Sequence, residues 1–287
     1  MNIWLYAVGL LAGGSALGIT LQKRFHRRLH RELAAPREPV ETTLNAHSLR
    51  GETVRFPTQR GRYLEGWWLS APSPQGHAVI THGWGTNRAT LLVLAPLLLE
   101  AGWNVLLFDV RNHGNSDSDT FSSMPRFAED IEAALAWLHK AQTPRPTALI
   151  GHSVGAAATL LAASRRDDIA TVVSVSSFAH PDGMMRRWLA EKGVPFFPLG
   201  WYVLRYVERV IGHHFDAIAP VNTVGKIHCP VLLVHGENDT VIPPHDAQAL
   251  AESADNATLR LVEGGHDLSE RLIDHGDELI AFLRDAL

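Results

Sequence analysis

The chain has 287 residues, of which 46% are hydrophobic and 20% are charged, and its formal net charge is −4. This length and apolar content are sufficient for a single α/β domain with a large buried core. The small negative charge gives no reason to expect nucleic acid as a partner. The single cysteine, Cys229, excludes an intrachain disulfide and a CxxC metal site.

The N-terminal segment, residues 3–21, carries no charged side chain and is long enough to span a hydrocarbon core as a helix. The basic residues Lys23, Arg24, Arg27, Arg28 and Arg31 follow this segment, whereas a cleaved signal peptide normally has its positive charge in front. The positive-inside rule then places the rest of the chain in the cytoplasm. We therefore predict a single-pass membrane protein with a transmembrane anchor over residues 1–22 and a cytoplasmic catalytic domain.

The remaining chain divides into a connector and one large domain. Residues 23–45 are basic and then proline-bearing, which predicts a juxtamembrane connector, and the domain is predicted over residues 46–287. Its strand patterns cover residues 47–57, 62–70, 78–81, 104–108, 147–150, 169–176, 231–235 and 258–262. Most of these strands are apolar throughout and alternate with helical patterns, which predicts an α/β fold with a mostly parallel sheet covered by helices on both faces.

The alternation stops at about residues 178–227, where helical pieces occur without a strand pattern. We interpret this segment as a helical cap inserted between two strands, over the sheet end that carries Ser153. Its apolar side chains are Met184, Met185, Trp188, Phe196, Phe197, Trp201, Tyr202 and Tyr206. They either line a pocket for an acyl group or attach the cap to the core. His213, His214 and Asp216 lack a further ligand in the pattern, so neither a metal nor a cofactor is expected.

A serine stands where a strand pattern changes into a helix pattern. The apolar run 147–150 ends at Gly151-His152-Ser153-Val154-Gly155, and small helix-forming residues continue from there to Ala163. The glycines remove side chains where strand and helix are forced together, and the turn holds the serine hydroxyl clear of the sheet. The backbone N–H group after the serine then points from the helix N-terminus at any oxyanion that forms nearby.

A serine hydroxyl is a weak nucleophile at neutral pH and needs a base, which in turn needs an orienting carboxylate. Asp239 and His266 each lie a few residues beyond an apolar strand, as Ser153 does. Because all parallel strands end at the same edge of a sheet, we expect these side chains to converge. The order Ser, Asp, His along the chain is one of those found in serine hydrolases.

Taken together, the motifs resemble those of the α/β-hydrolase fold family over residues 46–287. The matching pieces are His82-Gly83-Trp84-Gly85, Asp109-x-Arg111-x-His113-Gly114-x-Ser116, Gly151-His152-Ser153-Val154-Gly155, His235-Gly236-x-x-Asp239-x-x-x-Pro243 and Gly265-His266. Within the family, the chain is similar to small membrane-anchored hydrolases of the serine-aminopeptidase and lysophospholipase-like groups.

The resemblance implies Ser153 as nucleophile, His266 as general base and then acid, and Asp239 as the group that fixes the imidazole tautomer. It implies an oxyanion hole formed by the backbone N–H groups of Trp84 and Val154. The alternatives are His152, His245 or His275 as the base and Glu237 as the carboxylate. Asp109 and His113 are expected to brace the loops near the site.

The predicted activity is that of a serine hydrolase that cleaves a carboxylic ester or thioester, with a small-molecule or lipid acyl substrate. A peptidase of the same fold is the alternative within enzymes, although no acidic cluster that would hold a substrate amine is evident. A binding scaffold without catalysis is the alternative outside them, because a fold does not by itself imply a function. The sequence does not determine the oligomeric state.

Overall fold

A computed structural model describes residues 19–31, 33–268 and 271–287. The chain divides into two compact units, Met1–Ala35 and Pro36–Leu287. In the first unit, residues 19–31 are helical. The second unit begins at Pro36, earlier than the domain boundary predicted at Ala46, so the end of the predicted connector packs with the domain.

The predicted membrane location requires a correction. Most of the transmembrane anchor predicted over residues 1–22 lies outside the described residues. Within the ranges that the structure describes, no helix has both the length and the apolar character needed to cross a bilayer. This finding contradicts the prediction of a single-pass membrane protein with a cytoplasmic catalytic domain. The sequence argument rested on the length and lack of charge of residues 3–21 and on the basic residues after them, and these features favour a spanning helix without establishing one.

The second unit is built on an eight-stranded sheet. The strands are β1 (Glu52–Pro57), β2 (Tyr63–Leu69), β3 (Gly76–Thr81), β4 (Trp103–Phe108), β5 (Thr147–His152), β6 (Thr171–Val175), β7 (Val231–Gly236) and β8 (Ala257–Val262). Their order across the sheet is β1-β2-β4-β3-β5-β6-β7-β8. The pairs β1/β2 and β2/β4 are antiparallel, and all others are parallel. The predicted mostly parallel sheet is confirmed.

The α-helices of this unit are α1 (Ala95–Glu100), α2 (Met124–Ala141), α3 (Val154–Ala163), α4 (Pro181–Glu191), α5 (Trp201–Ile211), α6 (Phe215–Ile218), α7 (Pro220–Thr223), α8 (Pro244–Glu252), α9 (Arg271–Asp274) and α10 (Gly276–Arg284). Every residue of β3, β4 and β5 is buried, so both faces of the central sheet are covered. One core joins alternate residues of these strands, such as Ile80 and Leu107, to α1 and α10. The helices α2 and α3 pack against each other and the sheet.

The segment between β6 and β7 contains α4 to α7 and no described strand. Its helices expose one face and bury the other: Met185 and Leu189 of α4 and Val203 and Leu204 of α5 are buried. A salt bridge between Arg187 of α4 and Asp246 of α8 ties the segment to the rest of the unit at 2.7 Å. The cap predicted at about residues 178–227 thus corresponds to a helical segment, and its role as a separate cap over the site stays a prediction.

The turn between β5 and α3 depends on Gly155, because this helix starts very close to the end of β3. A Cβ atom at Gly155 would lie less than 3.0 Å from the backbone oxygens of His82 and Thr81. We expect Gly155→Ala to lower the free energy of unfolding by about 1–3 kcal/mol, as overpacking does. Urea unfolding of the purified variant measures this loss.

Gly183→Ala is the matched control, because its Cβ would meet only the end of the Arg187 side chain at 3.6 Å. Gly183 lies within α4, where alanine is favoured over glycine by about 0.5–1 kcal/mol. We therefore expect the control to be slightly stabilised. Wild-type stability in Gly155→Ala would show that the close approach of α3 to β3 is not required.

Candidate active site

The loops after β5, β7 and β8 bring Ser153, Asp239 and His266 together at the carboxyl edge of the sheet. His266 Nε2 lies 3.0 Å from Ser153 Oγ, and His266 Nδ1 lies 2.8 Å from Asp239 Oδ2. Ser153 and Asp239 are buried at 8% and 4% exposure. The structure thus joins the three predicted side chains in one chain of hydrogen bonds.

The tautomer of His266 follows from these contacts. An ionised carboxylate only accepts hydrogen bonds, so the proton of the neutral imidazole resides on Nδ1 and points at Asp239. The lone pair of Nε2 therefore faces the Ser153 hydroxyl, which donates to it. This is the arrangement that lets an imidazole remove a proton from a serine.

Asp239 is held in its ionised form by the groups around it. Its Oδ1 atom accepts hydrogen bonds from the backbone N–H groups of Val241 at 2.9 Å and Ile242 at 2.8 Å. His235 Nε2 lies 3.4 Å from Oδ2. Burial alone would raise the pKa of Asp239, but hydrogen bonds from His235, His266 and Ile242 outweigh it and hold the pKa well below its usual range.

Ser153 has a strained backbone, with φ 55° and ψ −120°. A non-glycine residue rarely adopts a positive φ, and such strain is concentrated at functional sites. The backbone N–H of Ser153 donates to Val175 O at 2.8 Å, which fixes the turn against β6. The turn predicted from the sequence, with a serine between a strand and a helix, is therefore present.

The predicted oxyanion donors lie on two segments that meet at Ser153. Val154 begins α3, and Trp84 follows β3. A Cβ atom at Gly83 would lie 3.3 Å from Ser153 Cβ, so the loop after β3 runs directly beside the serine. Neither N–H group donates to a backbone acceptor among the described residues. Their role as an oxyanion hole stays a prediction.

Two buried histidines brace the loop of Trp84. His113 Nε2 accepts the Gly85 N–H at 3.1 Å, and its Nδ1 donates to Arg111 O at 3.0 Å. His82 Nδ1 donates to Gly83 O at 2.7 Å, and its Nε2 accepts the Val110 N–H at 3.2 Å. Each ring uses one nitrogen as donor and one as acceptor, so each must be neutral. Burial lowers the pKa of both histidines from 6.5 to about 4.

The lowered pKa values of His82 and His113 predict that the protein loses stability in mild acid. Below pH 6.5 the unfolded chain takes up protons on His82 and His113, while the folded chain does not do so until about pH 4. The free energy of unfolding should therefore fall as the pH drops through this window, by about 2 kcal/mol for each histidine at pH 5. Urea unfolding at pH 7 and pH 5 measures the difference.

His113→Gln should be less stable at pH 7 and show a shallower loss between pH 7 and pH 5, because the amide does not titrate. His275→Gln serves as the control, since His275 is exposed. It should retain the wild-type pH dependence. An equal loss of stability in wild type and His113→Gln would contradict the assignment of this titration to His113.

The alternative site residues lie in other environments. Glu237 is exposed and lies just after β7, whereas Asp239 makes the contact with His266. His245 and His275 are both exposed. His152 is buried next to Ser153, but its Nε2 contacts the backbone oxygen of His266 at 3.0 Å. The structure therefore places His266 alone of these histidines in hydrogen-bond contact with Ser153.

The apolar side chains of the cap segment differ in their exposure to solvent. Met185 is buried, whereas Phe197 and Trp201 are 77% and 51% exposed. These two aromatic side chains face solvent rather than an enclosed acyl pocket.

Asp216, considered with His213 and His214 for a metal, lies 3.0 Å from His180 instead.

Sequence reasoning missed the anchoring of Arg111. Its guanidinium is buried and contacts Asp130 at 2.8 Å, Asp119 at 3.2 Å and Glu129 at 2.6 Å. Its backbone N–H also donates to Asp130 at 2.8 Å. Arg111 thereby fixes the loop that carries His113 onto α2. Arg111 belongs to the motif that begins at Asp109. The sequence does not show that its acidic partner is Asp130, because no fixed spacing links the motif to α2.

Comparison with known proteins supports the same fold. Residues 77–205 match the α/β-hydrolase fold family. An uncharacterized protein of Mycobacterium tuberculosis is 31% identical over 251 residues, covering 86% of this chain and 80% of that protein. A lysophosphatidylserine lipase of Danio rerio is 28% identical over 187 residues, covering 61% of this chain and 47% of the lipase. The structure of an esterase of Pyrococcus furiosus has a TM-score of 0.72 at 23% identity, over 88% of this chain and 98% of that chain.

The sheet order and the strained serine between β5 and α3 define a hydrolase-type α/β architecture. The extent of the mycobacterial match and the family match complete this assignment. The chain belongs to the α/β-hydrolase family. The matched region of this chain covers about half the length of the zebrafish lipase, so the match alone does not assign that protein's activity to this chain.

Proposed function

We propose that this protein is a serine hydrolase that cleaves a carboxylic ester or thioester through an acyl-enzyme on Ser153. The observation that carries the proposal is the continuous hydrogen-bond chain from Ser153 Oγ through His266 to Asp239, with distances of 3.0 and 2.8 Å. A buried serine next to a neutral imidazole and an ionised carboxylate is the arrangement that generates an alkoxide-like nucleophile at neutral pH.

In the first step, Ser153 Oγ attacks the carbonyl carbon of the substrate while His266 Nε2 takes the hydroxyl proton. Asp239 stabilises the imidazolium that forms. The negative charge develops on the former carbonyl oxygen. This oxygen accepts hydrogen bonds from the backbone N–H groups of Trp84 and Val154. These donors lie on a loop and a helix start that are fixed before the substrate binds, so the charge is stabilised without reorganisation.

In the second step, the carbon–oxygen or carbon–sulfur bond to the leaving group breaks, and the imidazolium returns its proton to the departing alcohol or thiol. A water molecule then attacks the acyl-enzyme, with His266 again removing a proton. The carboxylic acid leaves and Ser153 regains its hydrogen. The scheme needs no metal or cofactor.

The preference for esters over amides is supported by the names of the similar proteins. The similar structure from Pyrococcus furiosus is an esterase, and the similar zebrafish protein is a lysophosphatidylserine lipase. We therefore propose a small-molecule or lipid acyl ester as the substrate, within a lysophospholipase-like rather than a serine-aminopeptidase-like group.

The test is a series of p-nitrophenyl esters of increasing acyl length beside amino-acid p-nitroanilides, measured with wild type and Ser153→Ala. We expect kcat/KM to be at least about 100-fold higher for the best ester than for any anilide. Ser153→Ala should lower the ester rate by about 10⁴-fold or more, because the nucleophile is gone. Faster cleavage of anilides would identify a peptidase instead. Unchanged activity in Ser153→Ala would place the chemistry elsewhere and leave Ser153 without a catalytic role.

A further inference from the structure

The backbone carbonyl of His266 accepts hydrogen bonds from two buried side chains. His152 Nε2 lies 3.0 Å from this oxygen, and Ser176 Oγ lies 3.1 Å from it. His152 ends β5, and Ser176 follows β6, so the two donors come from neighbouring strand ends. They approach the main chain of His266, and the side chain of the same residue reaches Ser153.

The loop of His266 is attached to the domain on both sides of this residue. Gly264 and Gly265 precede His266, and a Cβ atom at Gly265 would meet nothing within 4 Å. The loop is attached at one end by the hydrogen bond from Asn238 N to Gly264 O at 2.9 Å, and at the other end by the buried Leu268. Between these attachments, the carbonyl contacts of His152 and Ser176 fix the position of His266.

The contacts of His152 define it as a donor rather than a base. A carbonyl oxygen only accepts, so His152 carries its proton on Nε2 and leaves a lone pair on Nδ1. His152 Nδ1 is buried without a hydrogen-bond partner among the described residues. A Cβ atom at Gly83 would lie 3.2 Å from it, so this nitrogen faces the backbone of the loop beside Ser153. There is no acceptor there for a second proton, and burial lowers the pKa of His152 accordingly.

Ser176 reaches His266 from a strained backbone. Its φ is 53°, in the left-handed region that most residues avoid, and its side chain is fully buried. Its backbone N–H donates to Val234 O at 2.9 Å, which ties the residue to the end of β7. The strained conformation places the hydroxyl against the loop of His266 instead of within the sheet. Strain of this kind is retained where the surrounding structure enforces it.

We propose that His152 and Ser176 are positioning residues of the hydrolase, which together hold the His266 carbonyl so that Nε2 stays within hydrogen-bond distance of Ser153. This inference rests on the proposed function, because it assumes that His266 is the base. The His152 ring lies 5.2 Å from the His266 ring between centroids, but among the described residues neither His152 nor Ser176 hydrogen-bonds to Ser153 Oγ or His266 Nε2. Their loss changes the placement of the imidazole, and a misplacement of about 1 Å can reduce the rate about 100-fold.

The test compares His152→Phe, His152→Gln and Ser176→Ala on the best p-nitrophenyl ester. His152→Phe should lower kcat about 10- to 100-fold with little change in KM, because substrate binding does not involve the His266 carbonyl. His152→Gln retains an N–H donor near the position of Nε2 and should recover most of kcat. Ser176→Ala should lower kcat about 10-fold. Loss of folded protein also lowers apparent kcat at unchanged KM, so kcat is expressed per folded molecule, counted by circular dichroism. A role in folding alone leaves that corrected kcat at the wild-type value.

Two matched controls come from the same sheet. His77 is also buried, and its Nε2 contacts Thr143 O at 2.9 Å, but it lies in β3 near the amino edge. Ser174 is buried in β6, and its hydroxyl has no hydrogen-bond partner among the residues described. His77→Phe and Ser174→Ala should leave kcat within about twofold of wild type, since neither contacts the site.

The outcomes separate this inference from the proposed function. If His152→Phe and Ser176→Ala match their controls while Ser153→Ala is inactive, the positioning role is wrong and the serine mechanism stands. If Ser153→Ala is active, the proposed function fails first. If His152→Phe does not fold, Ser176→Ala decides, because it removes a single oxygen atom. Wild-type kcat in folded Ser176→Ala would overturn the paired role.

Discussion

Asp239→Asn should lower kcat for ester hydrolysis by about 10³–10⁴-fold and leave KM nearly unchanged. The change preserves the size of the side chain, so the fold should survive. Steady-state kinetics on a p-nitrophenyl ester measure the loss, and circular dichroism checks the fold.

The physical reason lies in the tautomer of His266. Asp239 Oδ1 accepts two backbone N–H groups, from Val241 and Ile242, and Oδ2 accepts the proton of His266 Nδ1. In the asparagine variant, the oxygen must keep facing the two backbone donors, so the amide nitrogen faces His266. The imidazole then accepts at Nδ1 and carries its proton on Nε2. That nitrogen can no longer take the proton of Ser153.

Glu237→Gln is the control for this experiment, because Glu237 belongs to the same loop and is exposed. It removes a carboxylate without removing a contact to His266, and we expect kcat within about twofold of wild type. The reverse pattern, a large loss in Glu237→Gln and a small one in Asp239→Asn, would assign the orienting role to Glu237.

Arg111→Met should have the largest effect on stability. The buried guanidinium holds Asp130, Asp119 and Glu129, and the first two are themselves buried. Asp119 keeps its salt bridge with Arg126 at 3.2 Å, but the buried carboxylate of Asp130 loses its cationic partner, which costs about 3–5 kcal/mol. For a domain of this size, that loss corresponds to a fall in Tm of roughly 6–20 °C. Differential scanning calorimetry measures the shift.

The loss in Arg111→Met should be smaller at pH 5 than at pH 8, because unpaired carboxylates can take up protons in acid. Arg165→Met is the matched control. Arg165 pairs with Glu132 at 3.3 Å, but their side chains are 40% and 34% exposed. An exposed pair contributes about 1 kcal/mol or less. Equal Tm values for the two arginine variants would contradict a structural role for the Arg111 cluster.

Local patterns predicted the central part of the fold and the candidate site. The turn at Ser153 combines an apolar strand, two glycines and a run of small helix formers, and the structure has β5 ending at His152 and α3 beginning at Val154. Asp239 and His266 were predicted from their places after apolar strands. A parallel sheet brings all such places to one edge, so topology converts short-range signals into a three-dimensional site.

Contacts between distant segments could not be read from the sequence. His152 is one of the alternative bases in the sequence analysis, but its partner is a main-chain oxygen far along the chain. Every residue has a main-chain carbonyl group, so the sequence does not reveal this contact. The pairing of Arg111 with Asp130 is hidden for the same reason. The positive φ of Ser176 could not be predicted either, because glycine is the residue that usually signals such a conformation.

The predicted membrane location is wrong, and the domain begins earlier than predicted. Pro36 and Arg37 belong to the second unit, where Arg37 donates to Ser116 O and Ser118 Oγ. The sequence predicts Arg37 only as part of a connector, while in the structure its guanidinium binds loop oxygens of the domain. Composition does not separate an arginine in a connector from one that binds the domain.

The most direct measurement is the mapping of a fluorophosphonate adduct by mass spectrometry on the intact, then digested, protein. We predict one adduct per chain, located on Ser153, and no adduct in Ser153→Ala. His266→Gln should label much more slowly than wild type, because the serine loses its base. An adduct on another residue, or equal labelling of wild type and Ser153→Ala, would contradict Ser153 as the nucleophile.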